Sequence, residues 1–170
     1  MDTLEAVFTR RSARKFNAEK ISQENIETLL KAAMSAPSAR NEQPWQFLVV
    51  TERKLLDKIP TIHEHAQMCL QAQLAIIPCA DLSFYKYTDT FWVQDMAAAT
   101  QNILVTARAL GLGAVWVGVY PDEQRVQAVS KLFALAAKIT PFNIIPIGYT
   151  DVPQKEADRF QNNRIHYNKW

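Results

Sequence analysis

Hydrophobic residues recur along the chain at two spacings, and the switch between them divides it into helices and strands. Leu4, Val7 and Phe8 share one face of a short helix that Asp2 can cap. After Ser22 a second helix carries Ile26, Leu29, Leu30, Ala33 and Met34 at helical spacing, and Pro37 closes it. A polar loop follows, Ser38-Ala39-Arg40-Asn41-Glu42-Gln43-Pro44, bracketed by two prolines. Residues 47–50 read as a buried strand, 52–59 and 63–73 as short helices, and 74–80 as an apolar strand. Within that last run Pro78 marks a strand end or an irregularity, because proline cannot donate to a sheet. Residues 83–90 are aromatic and polar, as in a loop.

The longest helical pattern runs over 91–110, with Met96, Ala97, Thr100, Ile103, Leu104, Ala107 and Leu110 on one stripe beside Ala98 and Ala99. Such a stripe suits a central core helix or one shared with a second subunit. Gly111 and Gly113 end it, and residues 114–119 read as a strand. Asp122 caps a helix reaching about 133, with Val126, Val129 and Leu132 or Phe133 inward, and 143–149 form a further strand. The tail is polar and irregular, yet it ends in His166-Tyr167-Asn168-Lys169-Trp170, aromatics expected to pack on something. The alternation predicts one α/β or α+β domain over 1–170, with four or five strands under helices.

Composition narrows the function classes. At 48% hydrophobic and 21% charged residues the chain can build a core, which sets disorder aside. A net charge of +2 is too small to argue for nucleic-acid binding without a helix loaded with Lys and Arg. Cys69 and Cys79 lie in apolar surroundings without a CxxC, as buried free thiols in a reducing compartment would. The first residues carry acid where a signal peptide needs base, and no apolar run approaches the roughly 20 residues of a membrane helix. A cytoplasmic protein is expected.

Several chemistries fail on spacing. Gly111, Gly113 and Gly118 do not make a dinucleotide fingerprint, because position 116 is Trp and the glycines precede a strand instead of following one. His63 and His65 are two apart, wrong for metal ligands on one helical face, and are expected in structural or surface roles. There is neither a Walker motif nor a Gly-x-Ser-x-Gly elbow, and no basic neighbour activates either cysteine.

One cluster stands out. Arg10-Arg11-Ser12-Ala13-Arg14-Lys15-Phe16 packs four cations and a hydroxyl into seven residues. Guanidinium forks alternating with a short hydroxyl suit a bound phosphate, although alone the run would equally make a solvated basic turn. Four distant features accompany it: the Pro-Ser-x-x-Asn-x-Gln-Pro-Trp loop, the helix after Phe91, Gly-Leu-Gly-x-x-Trp-x-Gly, and Arg159 ahead of the terminal Trp170.

In this order the five features resemble the nitroreductase family, homodimeric flavoproteins that bind FMN at the subunit interface, and the likeness covers Phe8 to Trp170. It implies an α+β sandwich with a mixed, largely antiparallel sheet flanked by helices in a domain-sharing dimer. Arg10, Arg11 and Ser12 match ligands of the FMN phosphate and ribityl chain, and Arg14 a cation at the pyrimidine edge of the flavin. Pro37, Ser38, Ala39, Asn41 and Gln43 match a loop that reaches the partner's flavin. Trp116, Val117 and Gly118 match the segment along the isoalloxazine, with an amide directed at N5, and Arg159 the tail arginine returning to the phosphate. Two departures accompany the match: Ala157 stands where the family often has Lys, and residues 62–73 show no counterpart to the larger members' extra flavin contacts.

The implied function is hydride transfer from NAD(P)H through FMN to a small-molecule acceptor such as a nitroaromatic or quinone, by a ping-pong mechanism with no obligatory side-chain acid or base. The alternatives are an FMN storage or sensor protein, and another FMN reaction on this scaffold, reductive dehalogenation or flavin breakdown. No nucleic acid, membrane or metal enters.

Overall fold

The computed structural model describes residues 1–84 and 91–170, and part of the loop expected over 83–90 lies outside them. Six strands form the centre: β1 (Trp45–Val50), β2 (Leu74–Asp81), β3 (Leu112–Ala114), β4 (Val117–Gly118), β5 (Ile139–Pro141) and β6 (Asn143–Tyr149). The order is β1-β2-β6-β3, with β4 also on β6 and β5 also on β2, and every pairing between these strands is antiparallel. Six strands stand where four or five were expected, because three of the six are only two or three residues long.

Layering explains why β2 is apolar throughout. Leu74, Ile76 and Ala80 face α2 (Gln23–Met34) and α5 (Trp92–Ala109), packing with Leu29, Ala33, Met96, Ile103 and Ala107. Ala75, Ile77 and Cys79 face the opposite layer of α3 (Arg53–Leu56), α4 (Ile59–Ile62), the 3-10 segment Glu64–Leu70 and α6 (Glu123–Leu132). A strand buried on both faces loses the usual polar alternation. β1 pairs with β2 alone, and its middle residues are only half-buried, so it is an edge where a buried strand was expected.

Prolines set the interruptions. Pro78 sits in an unbroken strand, at the point where the partner of β2 changes from β6 (through Ile76) to β5 (from Cys79). The single strand expected over 114–119 is two. Ala114 opposes Ile147 and Val117 opposes Ile144 in one register, and between them Val115 faces Pro146, which has no N–H to return. The helix expected over 52–59 likewise divides, because Pro60 cannot continue the bonding of the first turn. The segment expected as a helix over 63–73 is a kinked 3-10 run. Side chains of Asp2, Ser22 and Asp122 cap their helices as the spacing predicts.

Helix α1 (Thr3–Thr9) departs most from its pattern. Ala6 is its buried residue, while Leu4, Val7 and Phe8 remain exposed. Phe160, Tyr167 and Trp170 in the tail are exposed too, His166 and Trp170 stacking on each other at 4.2 Å.

The basic stretch is pinned flush to the sheet. Ser12 bridges Ala114 in parallel, the Ala13 N–H bonds the Ala114 carbonyl at 3.0 Å, and Ala13 and Phe16 are buried. A Cβ at Gly113 would stand 2.6 Å from Ala13 Cβ and 2.8 Å from Thr150 Cγ2, and one at Gly148 would stand 2.9 Å from Phe16 Cβ. Only glycine lets residues 13–16 approach this closely. Gly113→Ala is expected to cost about 1–3 kcal/mol through overpacking, lowering the melting temperature by several degrees. Gly118→Ala, whose Cβ meets nothing within 4 Å, should leave it unchanged in calorimetry of the cofactor-free protein. Equal effects at the two sites would contradict this packing.

Candidate functional site

Two elements and the returning tail assemble the arginine cluster. Arg10 is the C-cap of α1, its N–H bonding the Ala6 carbonyl. The Arg11 N–H donates to Gln154 Oε1 at 3.1 Å, and Arg108 on α5 donates through Nε to Thr9 Oγ1 at 2.8 Å. These bonds tie the start of the tail beside α1 and bring Arg159 near Arg10. Burial first, then the charge of Arg159, then that of Arg11, hold the Arg10 guanidinium below its ordinary pKa. Among the described residues no carboxylate forms an ion pair with any of the three. Arg10 Nε and one Nη of Arg11 are buried without a hydrogen-bond partner. A buried unsatisfied donor costs about 1–3 kcal/mol, more when charged. An oxygen-rich dianion would satisfy both donors and offset the mutual repulsion. Ser12, the next residue in the chain, is exposed.

Further along the same stretch, Arg14 lines a cavity of about 470 Å³. One wall is the free edge around β4, with Trp116, Val117 and Gly118; the other is the segment His63 to Met68. Arg14 and Arg125 both line it. Arg125 is neutralised by Asp122 at 3.3 Å and Glu64 at 3.8 Å, whereas no ion pair among the described residues engages Arg14. Arg14 is thus the cation available to a negative charge developing in the cavity. Trp116 is half-exposed and stands edge-on to Phe142 at 5.4 Å. The space over Gly118 is open. Backbone, an indole and open space along one wall suit a flat ring system.

The loop after Pro37 is anchored elsewhere, on α5. The Ala39 N–H bonds Asp95 Oδ1 at 2.9 Å, Ser38 Oγ accepts from the Gln43 N–H, and Gln43 Nε2 donates to Asn41 Oδ1 at 2.8 Å. Arg40, Asn41 and Gln43 all have left-handed backbones, φ 53°, 57° and 50°. Such residues cost on the order of 1 kcal/mol or more and persist where surrounding bonds over-determine them, commonly at binding sites. Pro37, Asn41 and Gln43 are exposed, and Ser38 and Ala39 half-buried.

The structure therefore groups Arg10, Arg11 and Arg159 electrostatically, with Ser12 adjoining, and groups Arg14, Trp116, Val117 and Gly118 around one cavity. It holds Pro37, Ser38, Ala39, Asn41 and Gln43 together against α5. Sequence reasoning missed the opposite cavity wall. His63, expected only in a structural or surface role, is buried, with Nε2 2.7 Å from the Gly118 carbonyl oxygen. The available signal was a histidine pair in a run with few apolar anchors, too little to place it. Cys69 and Cys79 are free, and burial pushes both thiols up to about 12, so neither offers a nucleophile. Among the described residues no group of His, Cys, Asp and Glu could hold a metal.

A three-layer α+β fold with unpartnered arginine donors and a cavity lined by backbone and an indole has the features that suit an anionic, ring-bearing ligand. The sequence pattern of the Nitroreductase family matches residues 7–86 and 61–149. The chain is 48% identical over 170 residues to a protein of Methanothermobacter thermautotrophicus named "Putative NADH dehydrogenase/NAD(P)H nitroreductase", spanning 100% of this chain and 88% of that one. A crystal structure described as "Putative NADH Oxidase" from Clostridium acetobutylicum superposes with a TM-score of 0.94 at 43% identity, over 97% of this chain and 99% of the other. An FMN-dependent nitroreductase from Clostridium difficile R20291 superposes with a TM-score of 0.89 at 26% identity, over 98% and 99%. The chain belongs to the nitroreductase family, and it is an oxidoreductase.

If the arginine donors await a phosphate group, inorganic phosphate should raise the melting temperature of the cofactor-free protein by a few degrees more than chloride at equal ionic strength. Arg10→Ala should remove most of that difference. Equal melting temperatures in the two salts would contradict the assignment.

Proposed function

We propose that the chain is an NAD(P)H-dependent FMN oxidoreductase that works as a homodimer with FMN at the subunit interface and reduces small-molecule acceptors such as nitroaromatics or quinones. The observation that carries this reading is the pair of partnerless arginine donors beside a cavity walled by backbone, an indole and an unpaired arginine. Arg10, Arg11, Ser12 and Arg159 hold the phosphate and ribityl end. Trp116, Val117 and Gly118 lie along the ring, and Arg14 stands at its pyrimidine edge. Bound there, FMN would supply the redox chemistry between NAD(P)H and the acceptor. Arg14 stabilises the negative charge that accumulates at the ring edge. The same cavity would receive nicotinamide and acceptor in turn, which gives ping-pong kinetics. No side chain is assigned as acid or base.

The second subunit supplies what one chain lacks. Pro37, Ser38, Ala39, Asn41 and Gln43 reach the partner's flavin, with the strained loop presenting the amides of Asn41 and Gln43 outward. Exposed Leu4, Val7 and Phe8 on α1, and Phe160, Tyr167 and Trp170 in the tail, are apolar surface that a partner would cover. Among the described residues no helix is long and apolar enough to cross a membrane. Two buried free thiols support a reducing, cytoplasmic setting.

Protein loaded with FMN should bleach in the visible on anaerobic addition of NADH or NADPH, and recover its colour on adding a quinone or nitroaromatic. Loss of colour without recovery by any acceptor, or no bleaching, would favour a storage or sensor protein. Arg14→Ala should slow the reductive step about tenfold or more in stopped flow. An unchanged rate together with unchanged FMN affinity would remove Arg14 from the site.

A further inference from the structure

The free edge of β3 and β4 carries backbone groups at a regular interval. Bonds toward β6 fall at the odd positions, as the Val115 N–H to Pro146 in β6 and the Val119 N–H to Phe142 just before it show. Strand geometry therefore turns the N–H and C=O of residues 114, 116 and 118 away from β6, outward. Two of these outward groups are clamped. The Ala114 carbonyl takes the N–H of Ala13, and the Gly118 carbonyl takes the side chain of His63 at 2.7 Å. Between the clamps the N–H groups of Trp116 and Gly118 lie along the cavity wall.

The ring of His63 is suited to clamping and unsuited to proton transfer. Its Nδ1 accepts the N–H of His65 at 3.3 Å, which places the proton on Nε2 and makes that nitrogen the donor to Gly118. Both nitrogens are committed, and the ring is only 3% exposed. The same ring joins the two walls of the cavity, since His63 begins the Glu64–Leu70 segment while Gly118 ends β4.

We propose that His63 is a positioning residue: by holding the Gly118 carbonyl it fixes the orientation of the edge amides that meet the ring of the bound cofactor. This rests on the FMN reading above for what the amides meet, but the clamp itself does not. The Gly118 carbonyl and the Val119 N–H share one peptide unit, held on the sheet side by the Phe142 carbonyl at 3.3 Å and on the cavity side by His63, while glycine adds no side chain to restrain the amide before it.

The test compares His63→Gln, which keeps an amide donor near the Nε2 position, with His63→Leu, which fills the volume without a donor. In the cofactor-free protein, amide hydrogen exchange over 116–119 should quicken in His63→Leu and stay close to wild type in His63→Gln. With FMN, His63→Leu should bind about tenfold more weakly and shift the flavin midpoint potential, whereas His63→Gln stays within about threefold of wild type. If the Leu variant does not fold, His63→Asn, too short to reach Gly118, takes its place. A Leu variant with wild-type exchange, FMN affinity and potential overturns the proposal. So do Gln and Leu variants impaired alike, which would make His63 a packing residue only. Wild-type protein that binds no FMN would sink the flavin reading, and the exchange comparison would then decide the clamp by itself.

Discussion

Like charge held close, with no counter-charge paired to it among the described residues, is the constraint on which the site depends. Arg10, Arg11 and Arg159 crowd together, and burial first, then the charges of Arg159 and Arg11, lower the pKa of Arg10. Folding accepts this because the neighbouring residues have no alternative. Ala13 and Phe16 are buried against the sheet through Gly113 and Gly148, and that packing dictates where the arginines must sit. The tail is tied down by Gln154 and Arg108, which brings the third guanidinium back. A cluster assembled by such costly means is stable chiefly with an anion in it.

The same pinned segment shapes the cavity. Residues 12–14 cover the outer edge of β3 and then leave it, so β4 beyond is uncovered. Pro146 weakens the sheet at that point by withholding a donor, and β4 continues in register with its outer amides free. Phosphate-sized charge at Arg10 and Arg11 and ring-sized space beside Arg14 are thus one structural consequence, the extended course of residues 10–16.

How far this could be read from the sequence varies by element. Helices α2 and α6, with a capping side chain, and α5, with a long apolar stripe and no side-chain cap, were legible because local chemistry and packing agree. The Gly113 and Arg10–Arg14 motifs were legible only jointly, through their order along the chain. The split at Val115 was not, because its cause, Pro146, lies on another strand. The wall from His63 to Met68 was hidden for a similar reason: a 3-10 segment has no strong periodicity, and the partner of His63 is a distant backbone carbonyl. Leu4, Val7 and Phe8 carried a core-like pattern that one chain does not bury, and a surface shared with a second copy explains why the pattern is there.

The central claim is that the arginine cluster is a phosphate site belonging to a flavin cavity. Calorimetric titration of cofactor-free protein with FMN and, separately, with riboflavin tests it most directly, since the two ligands share the ring and differ only in the phosphate. The account predicts that FMN binds at least about a hundredfold more tightly, the scale of two charge-assisted contacts. Equal affinity for the two would show that the arginines do not hold the phosphate and would contradict the account.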